Sequence, residues 1–339
     1  MEPTNPIHEW LNTPIPKKLW HYTSIEGFYG ITTTKQIYAT DLRFLNDREE
    51  FTHARKLTEE LIQESPETGP NGYGLREIVR QTIKYLFDPG IGPLRPDYLQ
   101  FFVVSFSAAE DQLSQWRGYS RGSSGASLGF DLSRLRQHEF GLDLDRIRRS
   151  TGGDFPAFFA PCVYDQSKKK ELIRFALHHG IEGLSSIYNE LPQVKSLLET
   201  KSPTSDYLSV FNEIREKVKD PMRMKRLVDA VLRTFIDLFQ IVALLKNPSF
   251  EEEREWRLLI SGKQDEAPPY ARQFRVGSTT LVPYVAYPFS TEPNAQVPLS
   301  DLILGPGSDE HAVSAAQSFL HTQGIEIEPR PSAVPFRPR

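Results

Sequence analysis

One cysteine, Cys162, stands in 339 residues, so no disulfide framework can form within the chain, and the expected setting is a reducing cytoplasm. Long apolar runs are missing too. The longest reach about a third of a membrane span, which predicts no bilayer crossing. The opening MEPTNPIHEW has neither a charged leader nor an apolar core, so it does not read as a secretion signal. The formal charge is −4 with no long basic block, which argues against a dedicated duplex-DNA binder and leaves RNA or a nucleotide open as ligand. There is no internal repeat and no low-complexity segment. LILGPGSDEHAV lacks the lysine of a phosphate loop, and RGSSGAS lacks the spacing of a nucleophile elbow. His178 and His179 point apart on a helix and Cys162 has no cysteine partner, so no metal is expected.

What remains is ordinary globular material, 39% hydrophobic and 25% charged. Strands are predicted at KLWHYTS, QIYATD, FFVVSFS, GASLGFDL, PAFFAPCVY, EREWRLLIS, LVPYVAYPF and LILG, the clearest being FFVVSFS by its length, aromatics and valines. Helices are expected after a Ser24 cap, over DREEFTHARKLTEELIQE, over Leu75 to Phe87, over Met222 to Lys246, and over Asp309 to Thr322 with Ser308 as cap. The order predicts an α+β fold. Residues 1–17 form a peripheral segment and 18–337 a single domain, with a mostly helical insert at about 167–247. The tail PRPSAVPFRPR is expected to be irregular.

Three strands split into an apolar and a polar face: Phe102, Val104 and Phe106 against Ser105 and Ser107; Ala126, Leu128 and Phe130 against Ser127 and Asp131; Trp256, Leu258 and Ile260 against Glu253, Glu255 and Arg257. If these strands share a sheet, the polar faces line one cleft or simply meet water. LSQWRGYS, expected as a cleft-wall loop, loads Trp116, Arg117 and Tyr119 onto a strand end. These residues suit a planar, anionic ligand, or else form a lock in which the tryptophan is buried and the arginine pairs with a carboxylate.

The ordered set HYTS, LRFLND, SFS, LSQWRGYS, LGFD, EREWRLL, LGP and SAVPFR resembles the bacterial family known as domain of unknown function 2971, from about Leu19 to Arg337. A more distant resemblance, carried by the His-Tyr-Thr strand, a short helix and KQIYAT, is to ADP-ribosyltransferase-like proteins, including nucleic-acid modifiers of the DarT type and RNA 2′-phosphotransferases. This second resemblance lacks the superfamily's middle motif. It implies a mixed or antiparallel sheet core and NAD as substrate, with His21 on a ribose and Glu255 at the scissile bond. Tyr22, Trp116 or Tyr119 would flank the nicotinamide, and Thr23, Ser105, Arg117 and Arg257 complete the cofactor contacts. The acceptor would be a macromolecule or water, and the setting a toxin or anti-phage effector. Three readings follow: an NAD-using enzyme, a non-catalytic module for nucleotide or nucleic acid, and a structural or regulatory protein. Asn46, Asp47 and Arg337 are further residues that the family pattern raises.

Overall fold

The computed structural model describes residues 5–45, 48–64, 100–119, 124–131, 157–192, 207–262, 271–277, 279–289 and 296–335. Asn46, Asp47, Arg337 and the helix expected over Leu75 to Phe87 lie outside these residues. The fold is α+β, with a mixed, mostly antiparallel ten-stranded sheet. The strands are β1 (Lys18–Ser24), β2 (Gln36–Asp41), β3 (Gln100–Ser107), β4 (Gly125–Asp131), β5 (Ala157–Pro161), β6 (Glu255–Gly262), β7 (Gln273–Val276), β8 (Leu281–Pro288), β9 (Leu299–Leu304) and β10 (Arg330–Pro331). The helices are α1 (Pro6–Leu11), α2 (Ile25–Thr34), α3 (Arg48–Glu64), α4 (Leu113–Tyr119), α5 (Gln166–Glu190), α6 (Tyr207–Lys217), α7 (Pro221–Val242) and α8 (Glu310–Thr322). Among the described residues no helix is long and apolar enough to cross a membrane.

The sheet is forked at β3. One edge of β3 pairs with β6 along its whole length, from Gln100 opposite Gly262 to Ser107 opposite Glu255. The other edge is claimed by two strands. β1 meets it at Trp20 opposite Ser107, and β2 meets it at Thr40 opposite Val103 and Asp41 opposite Phe102. Both run antiparallel to β3, so the end of β1 and the start of β2 would need the same place beside Val104, Ser105 and Phe106. They diverge instead, joined by α2. β1 continues into a wing with β4, β9 and β10, and β2 into a wing with β8 and β7.

Alternation along the strands sends the apolar residues to one face. Phe102, Val104, Phe106, Ala126, Leu128, Phe130, Trp256, Leu258 and Ile260 pack in one core with Phe28 and Ile31 of α2 and Leu320 of α8. Burying each of the larger side chains among these stabilises the fold by about 1.5–3 kcal/mol. On the opposite face, Phe101, Val103 and Leu259 meet residues of α1, α3, α5, α6 and α7 in a second core. A small third cluster holds Trp20, Tyr22, Trp116 and Ile303.

Several local expectations change. Within the N-terminal segment α1 packs onto the core: Ile7 and Trp10 are buried and Trp10 Nε1 donates to the Pro161 carbonyl at 3.2 Å. α8 is capped by Asp309, whose carboxylate accepts from Ala312 N at 2.9 Å, while Ser308 sits in the preceding turn. β7 alternates polar and apolar residues, but it is only four residues long and exposed along its length, too short a run to stand out as a strand. Ser24 does cap α2, accepting from Gly27 N at 3.2 Å.

Two glycines of α2 test how the fork is closed. A Cβ on Gly27 would stand 2.0 Å from Thr23 Oγ1, whereas one on Gly30 would meet nothing within 4 Å. Gly27→Ala is expected to destabilise the fold by about 1–3 kcal/mol through overpacking. Gly30→Ala should be neutral or stabilising by up to about 1 kcal/mol, because alanine limits the unfolded chain. Urea unfolding of the two variants measures both.

Candidate functional site

A cavity of about 920 Å³ occupies the fork, at the upper end of the size range of small-molecule sites. β1, β2, β3, β6, β7, α2, α4 and the segment around Phe250 all contribute to its wall. His21, Tyr22, Thr23, Ser105, Tyr119, Glu255 and Arg257, from the expected set, line it; Trp116 and Arg117 do not.

His21 and Glu255 reach the cavity from opposite faces of the sheet. Trp20, Ser107 and Glu255 share one face by register, and His21 alternates to the other, beside Leu128 and 5.8 Å from the Phe106 ring. Where β1 leaves β3, His21 Nδ1 lies 2.9 Å from the Ser105 carbonyl. A carbonyl only accepts, so Nδ1 carries the proton and the neutral ring keeps Nε2 as an acceptor. Burial lowers the His21 pKa, the Ser105 bond opposes that, and Arg275 lowers it further, which favours the neutral ring.

Glu255 belongs to a buried charged quartet. Arg257 Nε donates to its Oε1 at 2.8 Å and Arg257 Nη2 to its Oε2 at 3.3 Å, while Arg257 Nη1 donates to the Ala243 carbonyl at 2.7 Å. Lys246 Nζ bonds both Glu255 and Glu253. The four side chains are nearly inaccessible to solvent. Burial alone would raise the Glu255 pKa, but Arg257 and Lys246 outweigh it and hold the carboxyl at about 2. Burial would likewise lower the Lys246 pKa, and Glu255 and Tyr119 more than reverse this.

The backbone sets the quartet in place. Lys246 N donates to the Val163 carbonyl at 3.0 Å, and the Lys246 carbonyl accepts from the buried Lys169 ammonium at 2.6 Å. Arg254 takes a left-handed conformation, φ 44°, between Glu253 and Glu255, so two carboxylates two residues apart converge on one ammonium. A signal for Glu255 and Arg257 lay in their shared strand face. Lys246 had none, because only the tertiary fold brings the end of α7 beside β6.

Leu113–Tyr119, the described part of the LSQWRGYS stretch, is a helix rather than a loop. Gln115, Gly118 and Tyr119 of α4 face the cavity at helical spacing. Arg117 is exposed, and Trp116 is wholly buried with its indole edge-on to Tyr22 at 5.0 Å. Trp116 Nε1 donates to Asp111 Oδ1 at 2.7 Å. The same carboxylate accepts from Ser332 Oγ at 2.6 Å and from Ala333 N at 2.8 Å. The proline-rich tail is thus ordered as far as Asp111 needs it, and Arg330–Pro331 pairs in parallel with β9. Tyr22 is committed as well: its hydroxyl donates to the Ala109 carbonyl and accepts from Gln112 N, both at 2.9 Å.

The aromatics open to the cavity are others. Tyr38, Tyr119 and Phe250 are 41%, 36% and 40% exposed, large enough fractions to let a ligand ring reach them. Arg275 reaches the wall from β7, where its Nη2 donates to Thr40 Oγ1 at 2.9 Å. Among the described residues no three His, Cys, Asp or Glu side chains converge as metal ligands would.

Residues 115–258, which include most of α4, the helical segment and the start of β6, match the family described as Protein of unknown function (DUF2971). No curated protein and no solved structure matches the chain.

Two outcomes are expected of this site. Asp111→Ala frees the tail and leaves the buried Trp116 N–H without its acceptor, and unfolding should show a loss of about 1–3 kcal/mol. Glu255→Gln removes the anion between two buried cations, a loss of about 3–5 kcal/mol near neutral pH. A lowered carboxyl pKa adds stability above the unfolded value and loses it as pH falls through the folded value. The gap between wild type and Glu255→Gln should therefore be full above about 4.5 and close as the pH falls toward about 2.

Proposed function

We propose that the cavity at the fork binds NAD and that the protein is an ADP-ribosyltransferase-like enzyme passing ADP-ribose to a macromolecule or to water. The observation that supports this best is the placement of His21 Nε2, an acceptor, and Glu255, a carboxylate held ionised, on strands flanking β3 around one cavity. An acceptor nitrogen suits a ribose hydroxyl. An ionised carboxylate favours the positive charge that develops at the anomeric carbon as the nicotinamide–ribose bond breaks. The bond's electron pair leaves with nicotinamide, and an acceptor oxygen then forms the new bond to that carbon and gives up its proton. Tyr119 and Phe250 stand at the rim near Glu255 for the planar ring.

One observation favours a second reading, a cleft that binds a nucleotide without cleaving it. Both Glu255 oxygens are already bonded by Arg257 and Lys246, which neutralise the charge an oxocarbenium-like centre would feel.

Nicotinamide release from NAD by the purified protein separates the two, measured alone and with RNA, DNA or cell extract. The enzyme reading expects release that falls by roughly 100-fold or more in Glu255→Gln, scored only if the variant remains folded by circular dichroism. No release under any addition, together with a rise in melting temperature on adding NAD, would leave the binding reading. Neither release nor a shift would end both.

A further inference from the structure

The cavity wall carries three cations, Lys246, Arg257 and Arg275. Lys246 is held by Glu253 and Glu255, and Arg257 spends its donors on Glu255 and the Ala243 carbonyl. Arg275 is different. Among the described residues it has no carboxylate partner, and its hydrogen bond is one donation to Thr40 Oγ1 at 2.9 Å. A guanidinium has five N–H donors in a fixed fork, so most of this one remains available. The residue is exposed on β7, and a ligand in the cavity can reach it without displacing an ion pair.

Its neighbours add a surface for a ring. Tyr38 and Tyr284 lie 4.2 Å apart between centroids at 31°, and Tyr284 is fixed by a bond from its hydroxyl to Gln273 Oε1 at 2.8 Å. Register places Tyr38, Thr40, Tyr284 and Gln273 on the sheet face that also carries Ser105 and Glu255. Arg275 follows two residues after Gln273, so it shares that face.

From this geometry we infer that Arg275, oriented by Thr40 and flanked by Tyr38, is the phosphate-binding residue of the cleft. The ligand it takes is a nucleotide pyrophosphate, laid from the β1 wing at His21 across to the β2–β8–β7 wing. The nucleotide identity rests on the NAD reading above; the anion-binding role does not. A guanidinium fork and a phosphate make paired charge-assisted hydrogen bonds, which a structural arginine on an edge strand has no need of.

The test is calorimetric titration of the full chain with inorganic pyrophosphate, ADP and adenosine, using wild type, Arg275→Gln, Arg275→Lys and Arg272→Gln. Arg272 is the control because it is near in sequence, lies over the Phe274 ring at 5.4 Å, and is not part of the wall. Pyrophosphate and ADP should bind wild type and Arg272→Gln equally. Arg275→Gln should weaken both by roughly tenfold or more, Arg275→Lys by less, and adenosine should be unaffected by any of them. Wild type that binds neither anion, or Arg275→Gln that binds both as wild type does, overturns the assignment. Anion binding that depends on Arg275 without nicotinamide release keeps this subsite and ends the NAD-cleaving reading. Nicotinamide release that Arg275→Gln leaves unchanged does the reverse.

Discussion

Two strands compete for one edge of β3, and the rest of the molecule is arranged around that competition. Trp20 takes the edge at Ser107, Thr40 and Asp41 take it at Val103 and Phe102, and the backbone between cannot serve both. The His21 imidazole takes up the Ser105 carbonyl that a strand would otherwise have paired. Each wing then extends outward with partners of its own, and the unshared space becomes the cavity. A sheet that closed fully along β3 would have no room for a ligand.

The second organising element is the burial of four charges at the start of β6. Glu253 and Glu255 offset Lys246 and Arg257, so the quartet carries no net formal charge. Such a network costs desolvation, and a well-packed apolar set would match its stability. What it adds is definition. It ties the end of α7 to β6, to the segment after β5 through Val163 and Tyr164, and to α5 through Lys169, and so fixes one wall of the cavity. Asp111 acts similarly on the other wall, where one carboxylate holds Trp116 of α4 and the backbone of the tail.

The regular part of this fold was legible in the residues. Ala126, Leu128 and Phe130 share one face because that face meets an apolar layer, while Phe101 to Val104 form a continuous apolar run because β3 is covered on both faces. α4 was not legible as a helix, since seven residues with a glycine and a serine carry little helical preference, and Trp116 is held by Asp111 and by Tyr22, the second far away in sequence. β7 was hidden because it is exposed on both faces. The fork itself was invisible, because no local pattern records that β1 and β2 claim the same edge. For the same reason Glu255 and Arg257 could be picked out as a pair from their strand face, whereas Lys246 and Arg275 could not: their places depend on contacts across the fold.

The pairing of β3 with β6 also bears on how the chain folds. Ser107 and Glu255 are neighbours in the sheet but far apart in sequence, and β4 finds β9 over a still longer interval. Closing such loops is slow compared with local helix formation. During synthesis β1, β2 and β3 emerge well before β6, at about 5–20 residues per second. Until β6 arrives, one full edge of β3 is an open template and the charged quartet lacks Glu253, Glu255 and Arg257. The cleft is therefore among the last parts of the molecule to exist, and a nascent chain halted before β6 carries His21 and Tyr38 but no site.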